Sequence, residues 1–281
     1  MSSRTVVTAE PCGFCSGVRS ALALIEKQLK STPENIYILK GLIHNNGVAA
    51  RLKKCGCIFV ESVEDIPPGA ETVFGAHGVS NEVRHRAAQR MLRITDATCP
   101  LVAQLQAVAA SLRPEQELVL FGHPGHPELE GVIGTAGTEK IFVVRNADDV
   151  ETLPELEAPV LLVQTTLSYV EAEKVKKLLK MRFPHAETPG NICRASFLRQ
   201  QAVERLAPEC DLFVVAGSPH SSNANRLREA AERCGVKAVL LDSPAEVTPE
   251  LLAGVKKIGL SAAASTPDDQ IAALKKALAG D

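Results

Sequence analysis

The chain has 281 residues, 45% of them hydrophobic and 23% charged, with a formal net charge of −2, a balance that excludes a general nucleic-acid or membrane-surface binder. No apolar run approaches the roughly 18 residues of a membrane span, and the start MSSRTVVTAE lacks the basic-then-apolar plan of a secretory signal. A cytoplasmic protein of about two domains by length is therefore expected, in which eight cysteines point to metal or redox chemistry rather than disulfides.

In chain order, a helical pattern begins at Cys15 (CSGVRSALALIEKQLK), followed by a short strand ending in a polar loop (NIYILKGLIHNN). A second helical stretch, a strand (CIFV) and a last strand with a second polar loop (TVFGAHGVS) complete the series. The same order resumes at Cys99 with CPLVAQLQAVAASLR, ELVLFGHPGHPELEG, KIFVV and VLLVQTTLS, and again at Cys193 with CRASFLRQQAVERLA, DLFVVAGSPHSSNAN, KAVLL and KIGLSAAAST. The three cysteines are 84 and 94 residues apart. From each cysteine the first polar loop follows after 29, 27 and 28 residues (His44, His126, Ser221), and the second after 62, 66 and 72 (His77, Thr165, Ser265). Such a period is the mark of a repeated unit, and strands alternating with helices imply parallel sheets with ligand groups at the carboxyl ends of the strands. The expected fold is α/β, with three units in pseudo-threefold array, 1–98, 99–192 and 193–281, each carrying three strands.

The loops 44–47, 75–80, 122–131, 164–168, 217–225 and 261–266 hold five of the seven histidines and none of the 31 Lys and Arg. With Thr165, Ser221, Ser222, Asn223 and Ser265 they suit a small anion held by many hydrogen bonds, some assisted by protonated imidazole. Cys15, Cys99 and Cys193 each head a helix, where the N-terminus favours thiolate. The spacing Cys12–Cys15 also fits a C-x-x-C redox pair, but that reading leaves Cys99 and Cys193 unexplained. Cys55, Cys57, Cys210 and Cys234 lie on or beside apolar runs and are expected in the core, while His85 and His185 are expected on the surface. Three thiolates without a fourth in register do not close a structural zinc site. They suit an iron-sulfur cubane with one iron open as a Lewis acid toward a substrate oxygen. Glu128, two residues after His126, can relay a proton to a leaving hydroxyl.

PCGFCSGV, LIHN, GAHGVS, DATCP, GHPGHPELEG, QTTLS, NIC, SSNANRL and AAASTP occur in that order between about residues 10 and 267. This series resembles the 4-hydroxy-3-methylbut-2-enyl diphosphate reductase family over almost the whole chain. The resemblance implies a trefoil of three α/β domains around a 4Fe-4S cluster held by Cys15, Cys99 and Cys193, with the fourth iron open to substrate. It implies that His44, His77, His126, Ser221, Ser222, Asn223 and Ser265 bind the substrate diphosphate, that Thr165 touches its hydroxyl region and that Glu128 is the proton donor. The implied reaction is a two-electron reductive dehydroxylation giving isopentenyl and dimethylallyl diphosphate, with ferredoxin or flavodoxin as electron donor. The chain departs from the family pattern at Cys12, at Ser196, at His220 and Ala224, and at Ala263, where a glycine is common. A cluster hydro-lyase of the aconitase type and a non-enzymatic cluster sensor are the alternatives.

Overall fold

A computed structural model describes residues 4–32, 34–190 and 192–280; Asn191 of the NIC motif lies outside them. In chain order the elements are β1 (Thr5–Thr8), α1 (Ser16–Ser31), β2 (Ile36–Leu39), α2 (Asn46–Lys54), β3 (Cys57–Val60), β4 (Glu71–Phe74), α3 (Asn81–Gln89), β5 (Arg93–Asp96) and α4 (Pro100–Ala110). They continue as β6 (Glu117–Phe121), α5 (Pro127–Ile133), β7 (Ile141–Val144), β8 (Pro159–Val163), α6 (Tyr169–Arg182), α7 (Arg194–Leu206), β9 (Leu212–Ala216), α8 (Ser222–Arg233), β10 (Ala238–Leu241), β11 (Lys257–Ala262) and α9 (Asp268–Ala279). Every strand pairing is parallel. The α/β class with small parallel sheets is thus as read from the sequence, and among the described residues no helix is long and apolar enough to cross a membrane.

Two compact units divide the chain. The first comprises Met1–Val18, His44–Val48 and Arg194–Asp281 and carries the sheet β1-β11-β9-β10. One face of this sheet buries Phe213, Val215 and Ala263 with Leu227, Ala230 and Ala231 of α8. The other buries Leu212, Val214, Ile258 and Leu260 with Leu274 and Leu278 of α9. The second unit, Arg19–Ile43 and Ala49–Cys193, carries β3-β2-β4-β5 and β7-β6-β8. Central strands are mostly apolar, because a parallel strand covered on both faces has no solvent side: β6 (ELVLF), β8 (PVLLV) and β9 (LFVVA) are buried at every position, Glu117 of β6 included.

The three sheets share one strand order. The unit that begins at Cys15 gives β3-β2-β4-β5 and the one that begins at Cys193 gives β10-β9-β11-β1. In the one that begins at Cys99, β7-β6-β8 is continued by a parallel bridge from Val160 to Glu187, with hydrogen bonds from Leu161 N to Glu187 O (2.8 Å) and from Glu187 N to Pro159 O (2.9 Å). Each sheet therefore gains an edge segment just ahead of a cysteine, beyond the three strands read from the sequence. Those edges are four residues or fewer, and β5 reads RITD with three of its four residues exposed, so no apolar run marks them. Residues 5–8, grouped by sequence with the first unit, pair with β11 of the last sheet instead. Of the four cysteines expected in the core, Cys57 is buried, Cys210 and Cys234 are half-buried and Cys55 is exposed. Cys55 follows the last turn of α2, its amide bonded to Arg51 O, and only the next strand turns inward. His85 and His185 are exposed, as expected.

Candidate functional site

All six polar loops leave the carboxyl ends of strands: β2, β4, β6, β8, β9 and β11. Cys15 directly precedes α1, Cys99 is the N-cap of α4 and Cys193 directly precedes α7. Their backbone anchors are equivalent. Cys99 N donates to Ala76 O (3.0 Å) beside His77, Cys193 N donates to Thr165 O (2.9 Å), and Cys15 N donates to Ala264 O (3.2 Å) beside Ser265. Each helix-head cysteine is thus tied to the second polar loop of the preceding repeat. None of the eight cysteines is in a disulfide. The sulfur of Cys15 accepts the amide of Val18 at 3.5 Å, one of the N–H groups that a helix N-terminus leaves without an intrahelical partner. Cys15, Cys99 and Cys193 are each half-buried, and sulfur donors of this kind suit iron-sulfur chemistry.

In the second unit, β6 delivers the loop GHPGH to α5, which starts with Pro127 at its first position and is capped by His126. The His126 Nδ1 accepts the Glu128 amide at 3.2 Å. A neutral ring therefore carries its proton on Nε2, where it can donate to an anion. The His77 and His126 rings meet edge to face, with centroids 5.5 Å apart. Glu128 is 1% exposed. Thr165 donates to both of its oxygens, from N to Oε1 at 2.7 Å and from Oγ1 to Oε2 at 3.0 Å. Burial pushes the carboxyl up to about 7, against these two bonds, which favour the ionised form.

In the first unit, Ser221 caps α8 by accepting the Ala224 amide at 3.3 Å. Asn223, in the first turn, is 4% exposed, and neither its Nδ2 nor its Oδ1 has a hydrogen-bond partner among the described residues. A buried amide left this way costs free energy unless a ligand satisfies it. Ser222 lies beside it at the start of the same helix. Ser265 Oγ donates to His44 O at 3.1 Å, which ties the β11 loop to the loop after β2. Burial, and after it the charge of His220, hold the His44 imidazole below its ordinary pKa. The first unit thus gathers Cys15, His44, Ser221, Ser222, Asn223 and Ser265, and the second gathers His77, Cys99, His126, Glu128, Thr165 and Cys193.

Two buried glutamines were not singled out in the sequence. Gln164, 1% exposed, accepts the His123 amide at 3.0 Å and donates to Thr166 Oγ1 at 3.0 Å, so it joins the His126 loop to the Thr165 loop. Gln106, on the helix headed by Cys99, donates to Val79 O at 3.3 Å and packs where a Cβ on Gly78 or Gly131 would lie. The polar Gln164 directly after the apolar run VLLV was the available signal for the first. Gln106 looks like an exposed helix residue until α4 is packed.

The family model described as LytB protein matches residues 6–279. The chain belongs to the LytB family. This LytB-family chain is 43% identical over 268 residues to 4-hydroxy-3-methylbut-2-enyl diphosphate reductase 2 of Burkholderia mallei, covering 94% of the chain and 82% of that protein. To 4-hydroxy-3-methylbut-2-enyl diphosphate reductase of Xylella fastidiosa it is 44% identical over 271 residues, covering 93% and 86%. Among solved structures, the E-1-hydroxy-2-methyl-but-2-enyl-4-diphosphate reductase of Plasmodium falciparum matches with a TM-score of 0.92 at 34% identity, over 96% of this chain and 86% of that one. A second, described as (E)-4-hydroxy-3-methyl-but-2-enyl diphosphate reductase, the terminal enzyme of the non-mevalonate pathway, matches with a TM-score of 0.70 at 30% identity, over 99% and 100%.

Proposed function

We propose that this LytB-family chain is a 4-hydroxy-3-methylbut-2-enyl diphosphate reductase of the non-mevalonate isoprenoid route. It takes the allylic alcohol diphosphate, two electrons and two protons to isopentenyl and dimethylallyl diphosphate with loss of water. The observation that carries the reading is Glu128, buried, with its proton affinity pushed up to about 7 by that burial and hydrogen-bonded at both oxygens to Thr165. A carboxyl with that proton affinity is an acid suited to a departing hydroxyl.

Cys15, Cys99 and Cys193 are the residues that would hold a 4Fe-4S cluster, as their equivalent anchors support. When bound, such a cluster supplies electrons and Lewis acidity to the site. The protein residues manage the charge and the protons. Oε1 of Glu128 accepts the Thr165 amide, so the proton is held at Oε2; with the acid protonated the contact to Thr165 runs the other way, Oε2–H donating to Oγ1 while the Thr165 O–H turns to the leaving oxygen and passes a proton on. His44, His77 and His126, with Ser221, Ser222, Asn223 and Ser265, bind the diphosphate. Asn223 supplies a donor and an acceptor that have no other use. Because the loops contain no Lys or Arg, the positive complement to the diphosphate comes from imidazole, and His44, held below its ordinary pKa, gains a proton as the anion arrives.

The reading extends to ferredoxin or flavodoxin as electron donor, and to the cytoplasm, which keeps ligand thiols reduced. It keeps three repeats, 1–98, 99–192 and 193–281, with residues 5–8 completing the last sheet. Anaerobic purification, iron and sulfide analysis and a reduced-dye assay with the allylic diphosphate test it. Reductant-dependent consumption of the substrate is expected. Consumption without reductant would mark a hydro-lyase instead, and a cluster without turnover would mark a sensor.

A further inference from the structure

Arg199 of α7 is a cation almost wholly withdrawn from solvent, 4% exposed, six residues past Cys193. A buried guanidinium is costly unless its donors are used. Its Nη1 donates to Ala195 O at 2.9 Å, in the first turn of α7, and its Nη2 donates to Gly13 O at 2.6 Å, 186 residues away in sequence. Gly13 sits in the tight loop CGFC, two residues before Cys15, with φ of +72°. A Cβ at Gly13 would lie 2.7 Å from Ile271 Cδ1 of α9, so the loop is wedged on that side. On the strand side it is held by Gly13 N to Ala262 O (3.4 Å) and Cys15 N to Ala264 O (3.2 Å). Arg199 adds a hold from α7, and it is a charge-assisted hydrogen bond, the stronger kind.

The loop needs that hold because it carries a second thiol. Cys12 stands three residues before Cys15, half-buried, with its Sγ 3.6 Å from Glu10 Oε1 and its amide 3.1 Å from Glu10 Oε2. We propose that Arg199 is a positioning residue for Cys15: by holding the Gly13 carbonyl it keeps the loop in the one conformation that presents Cys15, and not Cys12, as the ligand thiol. The proposal rests on the reading of Cys15 as a cluster ligand. Burial and the neighbouring Glu10 push the Cys12 thiol up to about 11, with Arg199 acting in the opposite sense, which keeps Cys12 a neutral thiol while the loop stays in place.

The test compares wild type, Arg199→Met and Arg199→Lys as full-length chains. In metal-free protein, iodoacetamide labelling read by peptide mass spectrometry gives the rate at each cysteine. Arg199→Met is expected to raise the rates at Cys12 and Cys15 by about tenfold, the scale of one lost charge-assisted hydrogen bond, and to leave Cys99 unchanged. Arg199→Lys keeps the charge but can reach only one carbonyl, so a smaller rise at the same two positions is expected; it also carries the test if the methionine variant does not fold. After anaerobic reconstitution, iron per chain should fall in Arg199→Met, and the electron paramagnetic resonance spectrum of the reduced protein should change and be restored by Arg199→Lys. Unchanged Cys15 labelling in a folded variant, or an equal rise at Cys99, overturns the proposal. Failure of the wild type to take up a cluster would overturn the enzymatic reading, and the labelling rates would still decide the part of Arg199.

Discussion

Glu128 and Thr165 show opposing forces on one proton. Two hydrogen bonds from Thr165 favour the carboxylate, yet desolvation outweighs them and the carboxyl sits at about 7 instead of 4.5. Glu128→Gln keeps the shape and the Thr165 contacts but cannot give up a proton. Turnover is expected to fall by about a hundredfold or more with iron content and diphosphate affinity kept, measured by the dye assay and iron analysis. The same shift makes stability depend on pH. The folded state binds this proton more tightly than the unfolded chain, so the stabilisation is complete below 4.5 and is lost as pH rises through about 7, a change on the order of 3 kcal/mol. Melting curves of wild type across that window should show the loss, and those of Glu128→Gln should lack it. His44, held below its ordinary pKa, works in reverse on binding. Inorganic diphosphate should bind with net proton uptake and weaken from about pH 6 to about pH 8, read by calorimetry in buffers of different ionisation enthalpy. Two departures from the family pattern meet at one residue: a Cβ on Gly217 would lie 2.9 Å from the Ala263 Cβ and 3.1 Å from that of Ala224. The methyl at Ala263 therefore packs inside the first unit.

Among the elements, α5 carries the most chemistry in the least length. It holds Glu128 in its first turn, and its end is fitted to the loop that carries His77. Asn81 N donates to Gly134 O at 3.1 Å, and a Cβ on Gly134 would fall 2.2 Å from the Ser80 Cβ. Because Ser80 also caps α3 through Val83 N, it has little room to give. Gly134→Ala is expected to cost about 1–3 kcal/mol in urea unfolding and to lower turnover by displacing α5 against the His77 loop. Gln106 on α4 and Arg199 on α7 play parallel parts. Each lies on a helix headed by a cysteine and reaches a carbonyl in a loop that carries a site residue.

For the whole chain, the ordering principle is that each helix-head cysteine hangs on the strand-end loop of another repeat. For Cys15 that loop belongs to the last sheet, which β1 joins by pairing with β11. This closure runs on into Ala9, whose amide donates to Leu260 O at 2.8 Å and which is buried. Ala9→Pro removes that donor and should cost about 3 kcal/mol in chemical denaturation. A variant as stable as wild type would show that the closure contributes little.

The threefold order, the three cysteines and the polar loops were all legible in the sequence, because parallel central strands are written as apolar runs and their ligand groups follow directly at the carboxyl ends. Short edge strands such as RITD and TVVT were not, since an edge needs a neighbour's backbone more than its own side chains. Cys55 misled for the same reason: an apolar stretch gives no account of which turn faces water. Only the tertiary structure decided that burial raises the Glu128 carboxyl, that Asn223 is buried with both amide atoms unpartnered among the described residues and that Arg199 reaches the Gly13 carbonyl. Desolvation and long-range hydrogen bonds depend on what packs around a side chain, which residue type and spacing do not specify.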